Sequence, residues 1–398
     1  MKLRKRKIVF VFIMIIGVIS IIESIFIVLC MLSPQIDNML TLNGTFYPQT
    51  IPDEHLGVRP NPRFPGHDSK GFRNKSVPKD VDVVALGDSQ TYGTGVEIQE
   101  AWPKQIESMT KSSVYSMAYG SYGLVHYLIL INEAMALHPK IIIEAFYAGN
   151  DLFDSFNLVY NNSQHPELKT NDPIVLNSIQ LKEGTEPIAN FIAQKYNMGG
   201  KVDEYIGLEK FLLKYSRLFG LFRNIKHLLI EHIYTPWDNA KMFAVTHSGY
   251  CQVFDDGRYK TIFTPEYRLS ALDLKDPRIY EGLNISLKAI QQTNDRMLKQ
   301  NIRFVVLLIP TKELVFNNIV QHPLQRYLTL VENEQRLWDT AKTFFTKNNI
   351  EYMDALPILQ EQLALGVNPY KLTYDGHPNK FGHKAIANLV IQRIGLRQ

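Results

Sequence analysis

Cysteine is nearly absent: the 398-residue chain has two, Cys30 and Cys251. Cys30 lies inside a long apolar run and Cys251 stands alone, so no internal disulfide is expected, and the core must hold without covalent staples. No Cys pair has zinc-finger spacing, and no HExxH motif, Walker loop or G-x-S-x-G elbow occurs. Neither a metal nor a cofactor is therefore anticipated. Repeats and low-complexity tracts are missing too. Excess charge is small, and its placement removes most of it. Lys and Arg number 43 against 39 Asp and Glu, a formal net charge of +4. Five of those positive residues, Lys2, Arg4, Lys5, Arg6 and Lys7, fall in the first seven, and without them the remainder carries −1. A body with that balance has no electrostatic footprint for nucleic acid.

The basic tip leads into an apolar run, Ile8 to Leu32, of 25 residues with one charge, Glu23. About 20 apolar residues cross a bilayer. A cleavable signal has an apolar region of about 7–15 residues and a small-residue cleavage site; this run is longer, and Ser33-Pro34-Gln35 offers no such site. Leu29 before Cys30 is also unlike a lipoprotein signal. Residues 1–33 thus read as a cytoplasmic basic tip and a transmembrane signal anchor. The rest is expected outside the cytoplasm, as a single-pass membrane protein on the periplasmic or extracellular side. Glu23 is costly in lipid, so it should face a partner helix in the membrane or lie near the outer interface.

Residues 34–80, rich in Pro, Asn and Gly, read as a stalk that packs on the domain. Strands are expected at about 82–87, 113–118, 140–147, 303–309 and 350–353, with apolar-periodic helices between most of them and a last helix over Lys380 to Arg393. That alternation is the βαβ pattern of a parallel sheet. It divides the core into 81–155 and 263–398 around an insertion, 156–262, too long for a simple loop. Within the insertion Leu208, Phe211, Leu212, Tyr215, Leu218, Phe219, Phe222, Ile225 and Leu229 recur at helical spacing and predict one amphipathic helix. Lys210, Lys214, Arg217, Arg223 and Lys226 occupy its other faces. It reads either as a cap over a site or a surface for anionic lipid or polymer, or as a helix with a solvated basic face. Asn43, Asn74, Asn161 and Asn284 begin glycosylation sequons, which matter only in a eukaryotic secretory host.

Three blocks carry chemistry: Gly87-Asp88-Ser89-Gln90, Gly149-Asn150-Asp151 and Asp375-Gly376-His377-Pro378-Asn379. Each triplet alone is ordinary turn chemistry. Ser89 falls just past a buried strand, at the carboxyl edge where open α/β sheets bind ligands. A serine hydroxyl needs a base to take its proton, and His377 suits that task near neutral pH. Asp375, two residues earlier, could hold the imidazole tautomer and stabilise the imidazolium. The helix expected over Glu100–Met109 would aim the Ser89 amide at the site; with an N–H near Gly120 and the Asn150 amide it supplies donors for an oxyanion. Asp88 and Asp151 read as loop-fixing residues, and His126, His138 and His247 have no partner motif. Lys312, in Pro310-Thr311-Lys312 after the fourth strand, could contact a substrate anion or pair with a carboxylate.

On those three blocks the chain resembles the SGNH (GDSL-type) hydrolases, over roughly residues 60–155 and 260–395. The resemblance implies a flavodoxin-like three-layer α/β/α fold with a parallel sheet, the SGNH hydrolase fold, and ester-hydrolysing or acyl-transferring activity. Ser89, Asn150 and His377 match directly. The family's aspartate usually precedes the histidine by three residues, where this chain has Tyr374; Asp375 stands at minus two, a spacing of the O-acetyltransferase branch. The family's glycine falls at Ser121, one past Gly120, so either residue could be the backbone donor. The function implied is an anchored, extracytoplasmic serine esterase acting on an acylated glycan or lipid. The alternatives are an O-acetyltransferase for a cell-envelope or exported polysaccharide, and a non-catalytic membrane scaffold of this fold.

Overall fold

The computed structural model describes residues 2–41, 44–182, 208–231, 235–246 and 251–396. Asn43 and His247, and 183–207 of the insertion, lie outside the described residues. Five parallel strands form the central sheet: β1 (Val83–Gly87), β2 (Val114–Ala118), β3 (Ile141–Tyr147), β4 (Arg303–Ile309) and β5 (Glu351–Asp354). All five stand within a residue of the ranges expected from the apolar runs. Their order is β2-β1-β3-β4-β5, the flavodoxin-like order of a doubly wound sheet.

Right-handed crossovers explain the layers. The chain moves one way from β1 to β2 and the other way from β2 to β3, so its helices go to opposite faces. Trp102–Met109 and the C-terminal helix Lys380–Ile394 pack together on one. Leu124–Met135, Asp151–Tyr160 and Pro277–Lys299 pack together on the other. Strands β1 and β2 are buried throughout, as strands covered on both faces must be.

A buried carboxyl breaks that apolar pattern. Glu144 on β3 is fully buried, and neither carboxylate oxygen has a partner among the described residues. Burial raises its carboxyl well above the ordinary range. The unfolded chain releases that proton above about pH 4.3 and the folded one does not, so stability falls as pH rises, by up to about 1.4 kcal/mol per unit. Glu144→Gln should remove this slope. Its melting temperature relative to the native chain should climb between pH 5 and 8 in thermal unfolding; a constant difference would mean that Glu144 ionises in the fold.

Residues expected to form a stalk pack on the domain. They hold the short helix Pro34–Leu40 and a hairpin of Thr50–Asp53 with Gly57–Pro60. Arg59 pairs with Glu133 at 2.6 Å. Asn74 covers edge strand β2: its Oδ1 accepts from the Ser116 amide at 3.1 Å and its Nδ2 donates to the Ser116 carbonyl at 2.9 Å. A side-chain amide thus satisfies a sheet edge that would otherwise be open to pairing.

The N-terminal helix, Lys2–Leu32, contains one stretch, Val9–Leu32, long and apolar enough to cross a membrane; most of it is exposed, with Glu23, Phe26 and Ile27 half-buried and Cys30 buried. The helix expected over 208–229 is two, Leu208–Tyr215 and Arg217–Glu231. Ser216 breaks it: its Oγ accepts from the Phe219 amide at 3.1 Å, as an N-cap does. Cys30 and Cys251 are both free and buried.

Candidate active site

In a sheet of this order the winding reverses between β1 and β3, leaving a crevice outside their carboxyl ends. Both strands end there in glycine-dependent turns. After β1, Asp88 caps a one-turn helix, Ser89–Tyr92, and accepts from the Gln90 amide at 2.8 Å. A Cβ on Gly87 would lie 2.1 Å from Thr91 Oγ1, so only glycine lets this helix fold back on its strand. The Ser89 amide therefore opens this single turn, not the helix expected over Glu100–Met109, which forms as Trp102–Met109 farther on. After β3, Asp151 Oδ2 accepts from the Tyr147 amide at 2.8 Å, and Asn150 opens the helix Asp151–Tyr160.

The third block is set by the C-terminal helix. Asn379 caps it, accepting from the Phe381 and Gly382 amides, and its Nδ2 donates to the carbonyls of Asn368 and Tyr370 at 2.8 and 2.9 Å. This double anchoring presents His377 to Ser89 across 288 residues of chain, with Nε2 2.8 Å from Oγ. On the other side His377 Nδ1 is 2.5 Å from Asp375 Oδ1, which also accepts from the His377 amide at 3.0 Å. Burial raises the Asp375 carboxyl, but the hydrogen bonds and charge of His377, with Lys371 beside it, outweigh that and hold it well below the usual carboxylate range. An ionised carboxylate, an imidazole and a serine hydroxyl thus stand in series, the arrangement that activates a serine nucleophile. Tyr374, three residues before His377, stacks on Phe243 with ring centroids 4.3 Å apart.

Ser89, Gly120, Ser121, Asn150 and His377 line one cavity of about 220 Å³, with Tyr147, Phe153, Asp154, Tyr267 and Arg268. Ser121 adopts φ 63°, the left-handed conformation that glycine favours. Asn150 Nδ2 donates to Asp154 Oδ2 at 2.6 Å and reaches Asp151 Oδ1 at 3.4 Å. Burial dominates at both carboxyls and pushes Asp154 up to about 7 and Asp88 up to about 6. Asp88 Oδ2 also accepts from Ser89 Oγ, at 3.3 Å.

The sequence reading missed Asp154 and Arg268. Asp154 stands one turn past Asn150 and could have been found from the i, i+4 spacing. Arg268 comes from the helix Pro265–Leu272 with no motif around it. Its guanidinium sits 5.6 Å from the Tyr147 ring centroid and 4.9 Å from that of Tyr267, and its Nη1 reaches the Gly149 carbonyl at 3.4 Å. A Cβ on Gly376 would lie 2.5 Å from its Nη2, so Arg268 packs between the asparagine and histidine turns.

Lys312 does not line the cavity, which corrects the first of its two expected roles, contact with a substrate anion, and its acceptors are backbone carbonyls, not the carboxylate of the second. It is buried, and its ammonium donates to the carbonyls of Ile262, Thr373 and Asp375 at 2.7, 2.9 and 3.0 Å. Three donors meet three acceptors, so none remains for a substrate. Burial lowers its ammonium to about 8. Lys312→Met keeps the stem and strips the loop of those donors. Thermal unfolding should report a loss of roughly 2–3 kcal/mol, and kcat should fall about tenfold as Asp375 loses its backing; an unchanged kcat would separate Lys312 from the site. Among the other histidines, His126 is buried and accepts from the Gly123 amide at 3.0 Å. His138 pairs with Asp80 at 3.0 Å on the surface.

No protein-family model matches the chain, and no curated protein matches it. Solved structures do. An acetylxylan esterase from Geobacillus stearothermophilus is 9% identical, with 81% of this chain and 97% of that chain covered at a TM-score of 0.38. A GDSL-like lipase from Bacteroides thetaiotaomicron is 10% identical, with 80% and 92% covered at a TM-score of 0.35. At such scores neither likeness decides anything about this chain, whose fold is established by its own strand order.

Proposed function

We propose that the chain is a membrane-anchored, extracytoplasmic serine hydrolase that cleaves O-acyl esters, with a carbohydrate as the favoured substrate class and a lipid as the alternative. The observation that carries this is the Ser89–His377–Asp375 series opening into one cavity with the Asn150 amide. In this reading Ser89 Oγ attacks the ester carbonyl while His377 Nε2 takes its proton. The tetrahedral oxyanion receives the amides of Ser89 and of Gly120 or Ser121, with one N–H of Asn150. Asp154 accepts the other Asn150 N–H at 2.6 Å and holds the side chain in place. Collapse of the intermediate expels the alcohol, protonated by His377, and leaves an acyl-Ser89 ester. Water, deprotonated by His377, then releases the acid and restores Ser89.

The cavity is smaller than the roughly 300–1,000 Å³ that drug-sized ligands occupy, which favours a short acyl group such as acetyl. Beside it lies a groove of about 450 Å³ lined by Gln49, Phe64, Arg73, Tyr92 and Tyr119 and sharing Gly120 and Ser121. Its aromatic and polar lining favours a sugar ring as the alcohol. The same groove gives an acceptor hydroxyl the access that water has, so O-acetyl transfer remains the second reading. Assays of acetyl and longer acyl esters, with and without glycan acceptors, separate the two by product. Loss of ester turnover in all of them would refute both and leave the non-catalytic scaffold.

Asn150→Ala tests the oxyanion role. Removing one such donor typically costs about 100- to 1,000-fold in kcat, and KM should change little because the oxyanion exists in the transition state. An effect confined to KM would remove Asn150 from the oxyanion hole. The anchor is supported by the mostly exposed Val9–Leu32 stretch behind a basic tip. A C-terminal reporter should be active only outside the cytoplasm, and the full-length chain should stay with membranes; cleavage near Ser33 would refute it.

A further inference from the structure

Glu23 is where the membrane helix and the insertion meet. Its carboxylate accepts from the Arg217 amide, from the Leu218 amide at 3.1 Å and from Ser216 Oγ at 3.0 Å. A side chain 194 residues from the first of them thus serves the opening amides of the helix Arg217–Glu231, which have no intrahelical acceptor. The same contact explains how a carboxylate is tolerated in an apolar run. Two further contacts fix the helix there. Gly220 sits against the Leu40 carbonyl, where a Cβ would lie 1.9 Å away, and Asn224 Nδ2 donates to the Met39 carbonyl at 2.7 Å.

At about 100° per residue, Gly220 and Asn224 share one side of the helix, and Phe222, Ile225 and Leu229 form a stripe on the other. These three are 63%, 46% and 64% exposed. Phe211 and Tyr215 on the preceding helix are exposed as well, and Lys214, Arg223 and Lys226 flank the apolar surface.

We propose that the helix pair Leu208–Tyr215 and Arg217–Glu231 lies in the outer interface of the bilayer that the N-terminal helix crosses, with Phe222, Ile225 and Leu229 in the acyl region. The proposal rests on the anchored reading above. Depth supports it. A span of about 20 residues begun at Val9 ends near Val28, which leaves Glu23 about 8 Å beneath that boundary at about 1.5 Å per residue. Interfacial helices bury their apolar face about 5–10 Å deep, with Lys and Arg at the headgroups. The occupant of the stripe is therefore phospholipid, because the stripe starts at the depth where Glu23 holds its helix. The catalytic domain is then clamped to the membrane by two contacts and does not swing on a stalk.

Photo-cross-linking of the full-length chain in phosphatidylcholine–phosphatidylglycerol nanodiscs tests this. Benzoylphenylalanine is placed singly at Phe222, Ile225, Leu229, at Val18 within the N-terminal helix, and at Glu361 on the catalytic domain. All are exposed positions, so the fold is not at stake. Lipid adducts are expected at Phe222, Ile225, Leu229 and Val18, at least tenfold above Glu361. A lipid adduct at Val18 with none at the other three overturns the interfacial placement and leaves the anchor standing. Adducts to a second copy of the chain at Phe222 or Leu229 overturn it in favour of a protein interface. Absence of lipid adducts at Val18 as well overturns the anchored reading, and the proposal with it.

Discussion

Ser89→Ala should reduce ester turnover by roughly 10⁴- to 10⁶-fold, the range found when a triad serine is removed, with the fold intact. Only a hydroxyl is lost, at a half-buried position where Oγ touches His377 Nε2 at 2.8 Å and Asp88 Oδ2 at 3.3 Å. The neighbours that shape the turn, Asp88 on the Gln90 amide and Gly87 against Thr91, do not involve Oγ. Turnover on a short acyl ester and covalent labelling by a fluorophosphonate should vanish together, while thermal unfolding moves by less than about 1 kcal/mol. A folded Ser89→Ala protein that keeps its activity would end the serine mechanism. Lost turnover with labelling retained elsewhere would point to another nucleophile.

Asp375→Asn should be nearly as damaging. The carboxylate accepts from both the ring and the backbone of His377, and Lys371 Nζ stands 3.2 Å from its other oxygen. An amide cannot stabilise the imidazolium as a carboxylate does, and its N–H₂ favours the wrong ring tautomer. Turnover at pH 7 should fall by at least about 100-fold, toward the roughly 10⁴-fold known for this change in other triads. Tyr374→Phe should cost less than about threefold, because its ring stacks on Phe243 away from the histidine. Paired kinetics of the two variants give the ranking; the reverse order would mean that the loop is built differently. Stability has its own signature. Asp375 has a depressed folded carboxyl, so its contribution is full above the unfolded value of about 3.9 and is lost as pH falls toward the folded one. Asp375→Asn should therefore reduce acid sensitivity below about pH 4 while it removes activity at pH 7.

How much of this was legible in sequence depends on the range of the interaction concerned. The five strands, the last helix and the membrane-length run follow from local apolar patterns, which for the strands burial on both faces imposes residue by residue. Ser89, Asn150 and His377 were readable because each sits beside glycine, proline or a capping residue that its turn requires, and that local chemistry leaves a written pattern. Asp375 was readable for a related reason: where the backbone is extended, a residue two before the histidine points to the same side as its imidazole.

Tertiary packing decided the rest. Local pattern does not encode which helix a lone arginine leaves or which turn it meets, so Arg268 reached the cavity unannounced. Lys312 stands after a strand at the ligand-binding edge, yet three backbone carbonyls, one from the strand Lys260–Phe263 and two from the loop before His377, enclose its ammonium. The amphipathic period over 208–229 is continuous in sequence; the break at Ser216 comes from its capping of Phe219 and from the distant Glu23 carboxylate, which satisfies the new helix's first amides. Apolar periodicity is a property of one segment and can be read from it. Satisfying a buried charge or an orphaned backbone group is a property of two segments, and only their meeting in space determines it.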